Sequence, residues 1–251
     1  MRDFLLPVTN GIRMAWWIPY VGLAIFPTAA FLPFNIVRFL WGYHHGIEPM
    51  PPDVQGRAET VDRYIWPLTN LLTLAPIVIL MNHQSVPAAK VGLRFDLWEL
   101  NVALGVSTGL LLVVIQGALR TLINPNKEDL DHAEHARGPA SLWCLIFLFG
   151  AFSEELWLAF CLVAFKQTYH SVAFSILLTA IAIGLAHFTY RSGAIATALL
   201  GAFSGTLFLW RGSLIPPYLF HFIGNLGALY WARRGAALLR RGGAGGPDDK
   251  S

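Results

Sequence analysis

The chain has 251 residues, of which 55% are hydrophobic and only 13% charged, and its mean hydropathy is +0.52. These values lie far from those of soluble domains and imply a polytopic membrane protein. The net charge of +3 is small, and no cluster of basic residues interleaved with stacking aromatics occurs, which excludes a nucleic-acid partner.

Stretches of about 18 or more residues free of Asp, Glu, Lys and Arg, with an exception for one acidic pair, predict the membrane spans. In chain order they are Met14–Val37, Tyr64–Ala89, Leu100–Leu119, Pro139–Phe165, His170–Tyr190, Ser192–Trp210 and Gly212–Ala232. Pro19, Pro27 and Pro33 permit a kink or a re-entrant pair in the first, so the expectation is an all-α transmembrane helical bundle of seven or eight spans. The first apolar run is longer than a signal-peptide core and lacks a small-residue cleavage site, so insertion is expected to use the mature helices. Long charged connections, Arg38–Arg63 and Arg120–Arg137, separate the early spans, whereas Arg191 and Arg211 are almost all that joins the last three. The chain therefore divides into N-terminal helices and charged loops (1–138), a compact candidate catalytic bundle (139–232) and a basic, Gly-rich tail expected to be disordered (233–251).

Lys and Arg placement orients seven spans: twelve fall on the side of the C-terminus and six on the other, which puts the C-terminus in the cytoplasm. Trp143, Trp210, Tyr218, Tyr230 and Trp231 fall near span ends or around the last helix, where interfacial anchors are expected. The stretch Glu128–Glu134 with His132 and His135 reads as a solvated loop helix in preference to a metal site. Cys144 and Cys161 are 17 helical steps apart, about 25 Å, and cannot pair within one molecule.

The acidic pair, Glu154 and Glu155, lies in the middle of Pro139–Phe165. A carboxylate at the centre of a membrane helix costs on the order of 2.5–3.5 kcal/mol, so both must face protein, water or a partner. Adjacent residues point about 100° apart, so the two cannot serve one point equally. One is expected to act chemically and the other to support it. His187 follows near the end of the fifth span, and His221 and Asn225 share one face of the seventh as an i, i+4 pair. A carboxylate beside an imidazole can hold and deprotonate a water, and an imidazole with an amide can donate to the oxyanion of a tetrahedral intermediate. Gly201 and Gly205 in the intervening span form a small-xxx-small packing face.

The order EE, then H, then HxxxN on successive spans, over roughly 141–232, resembles the CAAX prenyl protease and bacteriocin-processing (CPBP, or Abi) family of intramembrane proteases. The third motif matches fully as HFIGN, His221 to Asn225. The second keeps His187 but has Ile183 in place of the family's aromatic, and the first keeps Glu154 and Glu155 but has Ala159 in place of its arginine. The resemblance implies that Glu154 and His187 activate water, that His221 and Asn225 stabilise the oxyanion, and that Glu155 orients the site. It also implies an integral protein of a bacterial plasma membrane, with membrane lipid around it, a membrane-associated protein or peptide as substrate and no cofactor.

Other readings remain open. Ala159 suggests an inactive relative acting in bacteriocin self-immunity or as a membrane scaffold. A zinc protease would use Glu155, His187 and His221, although no HExxH pattern occurs, and a transporter would use the acidic pair as a proton relay. A rhomboid-like enzyme would use Ser204 with His221, but Ala202 breaks the GxSG pattern and the glutamates are left unexplained. A glutamate-based enzyme is expected to keep its activity in Ser204→Ala.

Overall fold

The computed structural model describes residues 74–122, 139–186 and 191–243. Among them the architecture is all-α: α1 (Leu74–His83), a 3-10 turn (Ala88–Val91), α2 (Trp98–Leu122), α3 (Ala140–Tyr169), α4 (Val172–Ala186), α5 (Arg191–Arg211) and α6 (Ile215–Gly243). The expected first span, Met14–Val37, and the Glu128–Glu134 stretch with His132 and His135 lie outside the described residues. Of the described helices, α2 and α3 are long and apolar enough to cross a membrane by length and composition. The expected second span stops short: α1 ends at His83 and gives way to the 3-10 turn.

Helix α3 is the axis of the bundle. From Glu155 to Phe165 every residue is buried, on all sides of the helix, so this segment has no lipid face and must be enclosed by protein. Its neighbours are α4, α5, α6 and the 3-10 turn. Trp157, Phe160 and Phe165 supply its bulk, and Phe208 of α5, Leu214 and Val91 pack on it from outside. Pro139 precedes the helix in extended conformation, and His170 closes it in the left-handed conformation by donating its N–H to the carbonyl of Lys166 at 2.9 Å. Ser171 then starts α4, its hydroxyl accepting the N–H of Phe174. Cys161 is buried and Cys144 exposed, both as free thiols.

Helix α2 is by contrast mostly exposed, with Leu110, Leu111, Val114 and Ile115 facing outward. Its inner face lies along α6. Gly117 leaves no room for a Cβ beside the indole of Trp231, and Gly227 leaves none beside Val113. Backbones this close permit polar contacts that a bulkier seam would prevent: Trp231 Nε1 donates to the carbonyl of Val113 at 3.0 Å, and Gln116 Nε2 to that of Gly224 at 3.3 Å. Trp231 is thus helix-to-helix glue, not the interfacial anchor expected of it, because its indole N–H finds a partner inside the protein. Trp210 and Tyr230 remain exposed.

The small residues of α5 also sit at contacts. Gly201 meets Ile183 of α4, and Gly205 meets Leu158 and Leu162 of α3. The turn into α6 is pinned from below: Leu214 N–H donates to Gly92, Arg211 Nε to the buried Asn101 Oδ1 at 2.9 Å, and Asn101 Nδ2 to the carbonyl of Asp96. Helix α6 then runs to Gly243. Residues 233–243 are therefore helical where a disordered tail was expected, since Ala236, Ala237 and Leu238 favour helix and Ala236 is buried against the bundle.

Candidate active site

Glu154 and Glu155 lie midway along α3, about 21–22 Å from its first residue, whereas His221 is only about 9 Å into α6. The start of α6 is thereby set against the middle of α3, at the depth of the acidic pair. The pins on Leu214 and Arg211 and the glycine seam with α2 fix that register from two sides.

His221 lies between the two carboxylates. Its Nδ1 donates to Glu155 Oε1 at 2.8 Å, and its Nε2 is 3.6 Å from Glu154 Oε2. The second oxygen of Glu155 accepts the hydroxyl proton of Ser204, on α5, at 2.6 Å. The side chain of Glu155 is 3% exposed, against 14% for Glu154 and 23% for His221. The expected inequality of the pair is therefore physical: Glu155 is enclosed and doubly hydrogen-bonded, while Glu154 is the more open carboxylate and has no hydrogen bond to the imidazole. An ionised carboxylate accepts only, so its bond to Nδ1 assigns the proton to that nitrogen and leaves Nε2 as the working atom facing Glu154.

Asn225 is one turn beyond His221, half-buried, and makes no hydrogen bond to a described residue. It shares the face of His221, as its spacing predicts. His187 lies outside the described residues. Aromatic rings lie beside these groups in the sequence: Phe152, two residues before Glu154, meets Tyr218, three before His221, edge-on with centroids 6.0 Å apart, and Tyr218 stacks on Phe222. Ala159, one turn after Glu155, is fully buried in the core. Its methyl has no polar atom to offer Glu155, whose partners come instead from α5 and α6.

Ser204 belongs to the cluster although the sequence reading assigns it no place there: the alternative that makes it a nucleophile with His221 is disfavoured by Ala202, and in the structure its hydroxyl is bonded to Glu155 and the residue is 2% exposed. One signal pointed to it: Ser204 is three residues from Gly201 and beside Gly205, a hydroxyl on a face of small residues turned toward other helices. Among the described residues no group of three His, Cys, Asp or Glu side chains is arranged to hold a metal ion.

Apolar helices around an enclosed carboxylate–imidazole–carboxylate cluster fit a membrane protein with acid–base chemistry. A family model described as Type II CAAX prenyl endopeptidase Rce1-like matches residues 136–227, the segment that holds Glu154, Glu155, His187, His221 and Asn225, and bears out the resemblance read from the motifs. Neither a curated protein nor a solved structure matches the chain.

Proposed function

We propose that the protein is an intramembrane endopeptidase that hydrolyses a peptide bond of a membrane-associated protein or peptide with a water activated by Glu154. The observation that carries this is the convergence of Glu154 and Glu155 on the two ring nitrogens of His221. Two polar atoms 3.6 Å apart, Glu154 Oε2 and His221 Nε2, can both lie about 2.8 Å from one water oxygen. The family match to an endopeptidase supports the same chemistry.

In this mechanism Glu154 takes a proton from the water as its oxygen attacks the scissile carbonyl. The oxyanion accepts hydrogen bonds from His221 Nε2–H and the amide of Asn225. An imidazole with a proton on each nitrogen is balanced by Glu155 on one side and, once Glu154 has taken the water's proton, by the oxyanion on the other. Collapse of the intermediate breaks the C–N bond, and Glu154 returns the proton to the departing amine. His187 is assigned to water activation with Glu154, as the family motif implies. Glu155 holds His221. The chain crosses the membrane seven or eight times with its C-terminus in the cytoplasm, a topology supported by the Lys and Arg distribution and by Arg233 and Arg234, which follow Tyr230 and Trp231.

The test is cleavage of a panel of membrane peptides, prenylated at a C-terminal cysteine or unmodified, by purified protein in proteoliposomes, with products identified by mass spectrometry. Wild type is expected to cleave at a defined bond, and Glu154→Ala and His187→Ala to lose that product. Equal cleavage by all three defeats the proposal, and no cleavage of any peptide by wild type favours an inactive, scaffold-like relative, as Ala159 first suggested.

A further inference from the structure

We propose that Ser204 is a positioning residue: its hydroxyl anchors the carboxylate of Glu155, which in turn fixes the ring of His221 and aims Nε2 at Glu154. This deepens the protease assignment and rests on it for its catalytic consequence. It replaces the expectation that Ser204 is dispensable.

A carboxylate as enclosed as Glu155 is costly unless donors satisfy it. Its two oxygens each receive one, His221 Nδ1 at 2.8 Å and Ser204 Oγ at 2.6 Å. With a single donor, the carboxylate is free to turn about its terminal torsion, a broad rotor, and carries the imidazole with it. With two donors from different helices, its plane is set. Ser204 thereby ties α3, α5 and α6 together at one atom group.

The direction of the Ser204 hydroxyl is itself informative. In helices, Ser and Thr ordinarily turn back to a carbonyl one turn earlier, as Thr108, Thr168, Ser175, Thr179 and Thr206 do here. Ser204 instead donates across to α3, 49 positions away in sequence. So short a side chain reaches only because α5 approaches α3 closely, and Gly205 permits that: a Cβ there would lie 3.1 Å from Leu162. The same geometry argues against Ser204 as a nucleophile, since its hydroxyl is buried and its acceptor is a carboxylate, not the imidazole.

The experiment uses full-length protein in nanodiscs, with 15N-labelled histidine, in wild type, Ser204→Ala and Ser204→Thr. The His221 signals are assigned with His221→Gln. Ser204→Ala is expected to shift the His221 Nδ1 resonance, to lower kcat by about ten- to a hundred-fold with KM little changed, and to lower the unfolding midpoint, since one oxygen of the enclosed Glu155 carboxylate loses its donor. Ser204→Thr, which restores the hydroxyl, is expected to recover both the resonance and kcat. An unchanged Nδ1 resonance in Ser204→Ala overturns the proposal, whatever the activity. Covalent capture of Ser204 by a fluorophosphonate overturns it in favour of a serine nucleophile. If wild type cleaves nothing but the resonance still moves and threonine restores it, the positioning role stands and the protease assignment falls.

Discussion

Removing Glu155 separates its structural work from its chemical work. In Glu155→Ala the Ser204 hydroxyl and the Nδ1–H of His221 lose the partners that now sit at 2.6 and 2.8 Å, in a pocket where Ser204 is 2% exposed. Each orphaned buried group costs about 1–3 kcal/mol, so the variant is expected to lose about 2–6 kcal/mol of stability before any cavity is counted. Glu155→Gln behaves differently. Its carbonyl oxygen still accepts from Nδ1–H, and its amide can donate to Ser204 Oγ, which has lone pairs to spare. Stability should then fall by no more than about 1 kcal/mol, while kcat falls by about ten- to a hundred-fold because the charge opposite the imidazole is gone. Reversible unfolding in detergent, followed by tryptophan fluorescence, reads the first quantity, and peptide cleavage in nanodiscs reads the second. If Glu155→Ala is as stable as wild type, or Glu155→Gln is as active, Glu155 does not hold His221 in the way described.

Asn225→Ala is expected to lower kcat by about a hundred- to a thousand-fold, the scale of one lost oxyanion donor, without loss of stability, since Asn225 bonds no described residue; unchanged kcat would remove it from the mechanism. Gly227→Val should push α6 off Val113 and Gln116 and destabilise the bundle by about 1–3 kcal/mol, measured by the same unfolding assay; a neutral effect would contradict the tight seam. Ala159→Arg places a long cation in a fully buried position and is expected to lower stability by about 3 kcal/mol or more without raising activity. A gain in kcat would show that Glu155 lacks a cation that Ser204 does not replace.

Much of the bundle was legible because charge interrupts apolar runs at helix ends. Arg191 and Arg211 mark the start and end of α5, and the segments read at Pro139–Phe165 and Ser192–Trp210 correspond to α3 and α5 with small extensions. That His221 faces Glu154 agrees with the sequence reading, but its bond to Glu155 was not legible, since the motif pairs that carboxylate with an arginine which is Ala159 here. Which carboxylate faces in was not derivable from the residues alone, because it depends on the rotation of α3 about its axis. The role of Ser204 depends on how closely α5 crosses α3, and the indole bond of Trp231 on the spacing of α2 and α6; both are tertiary facts. The helical continuation through Arg233–Gly243 was missed because glycine and arginine content outweighed the Ala and Leu between them.

The most direct test of the central claim is kcat of Glu154→Gln relative to wild type, measured on one cleaved membrane peptide in nanodiscs, with the His221 Nδ1 resonance as the control for intact geometry. Because Glu154 is the open carboxylate and makes no hydrogen bond to His221, the substitution is expected to leave that resonance in place while kcat falls by about a hundred- to ten-thousand-fold, the contribution of a general base. A Glu154→Gln protein that retains the resonance and cleaves within about threefold of wild type would contradict the assignment of Glu154 as the water-activating group.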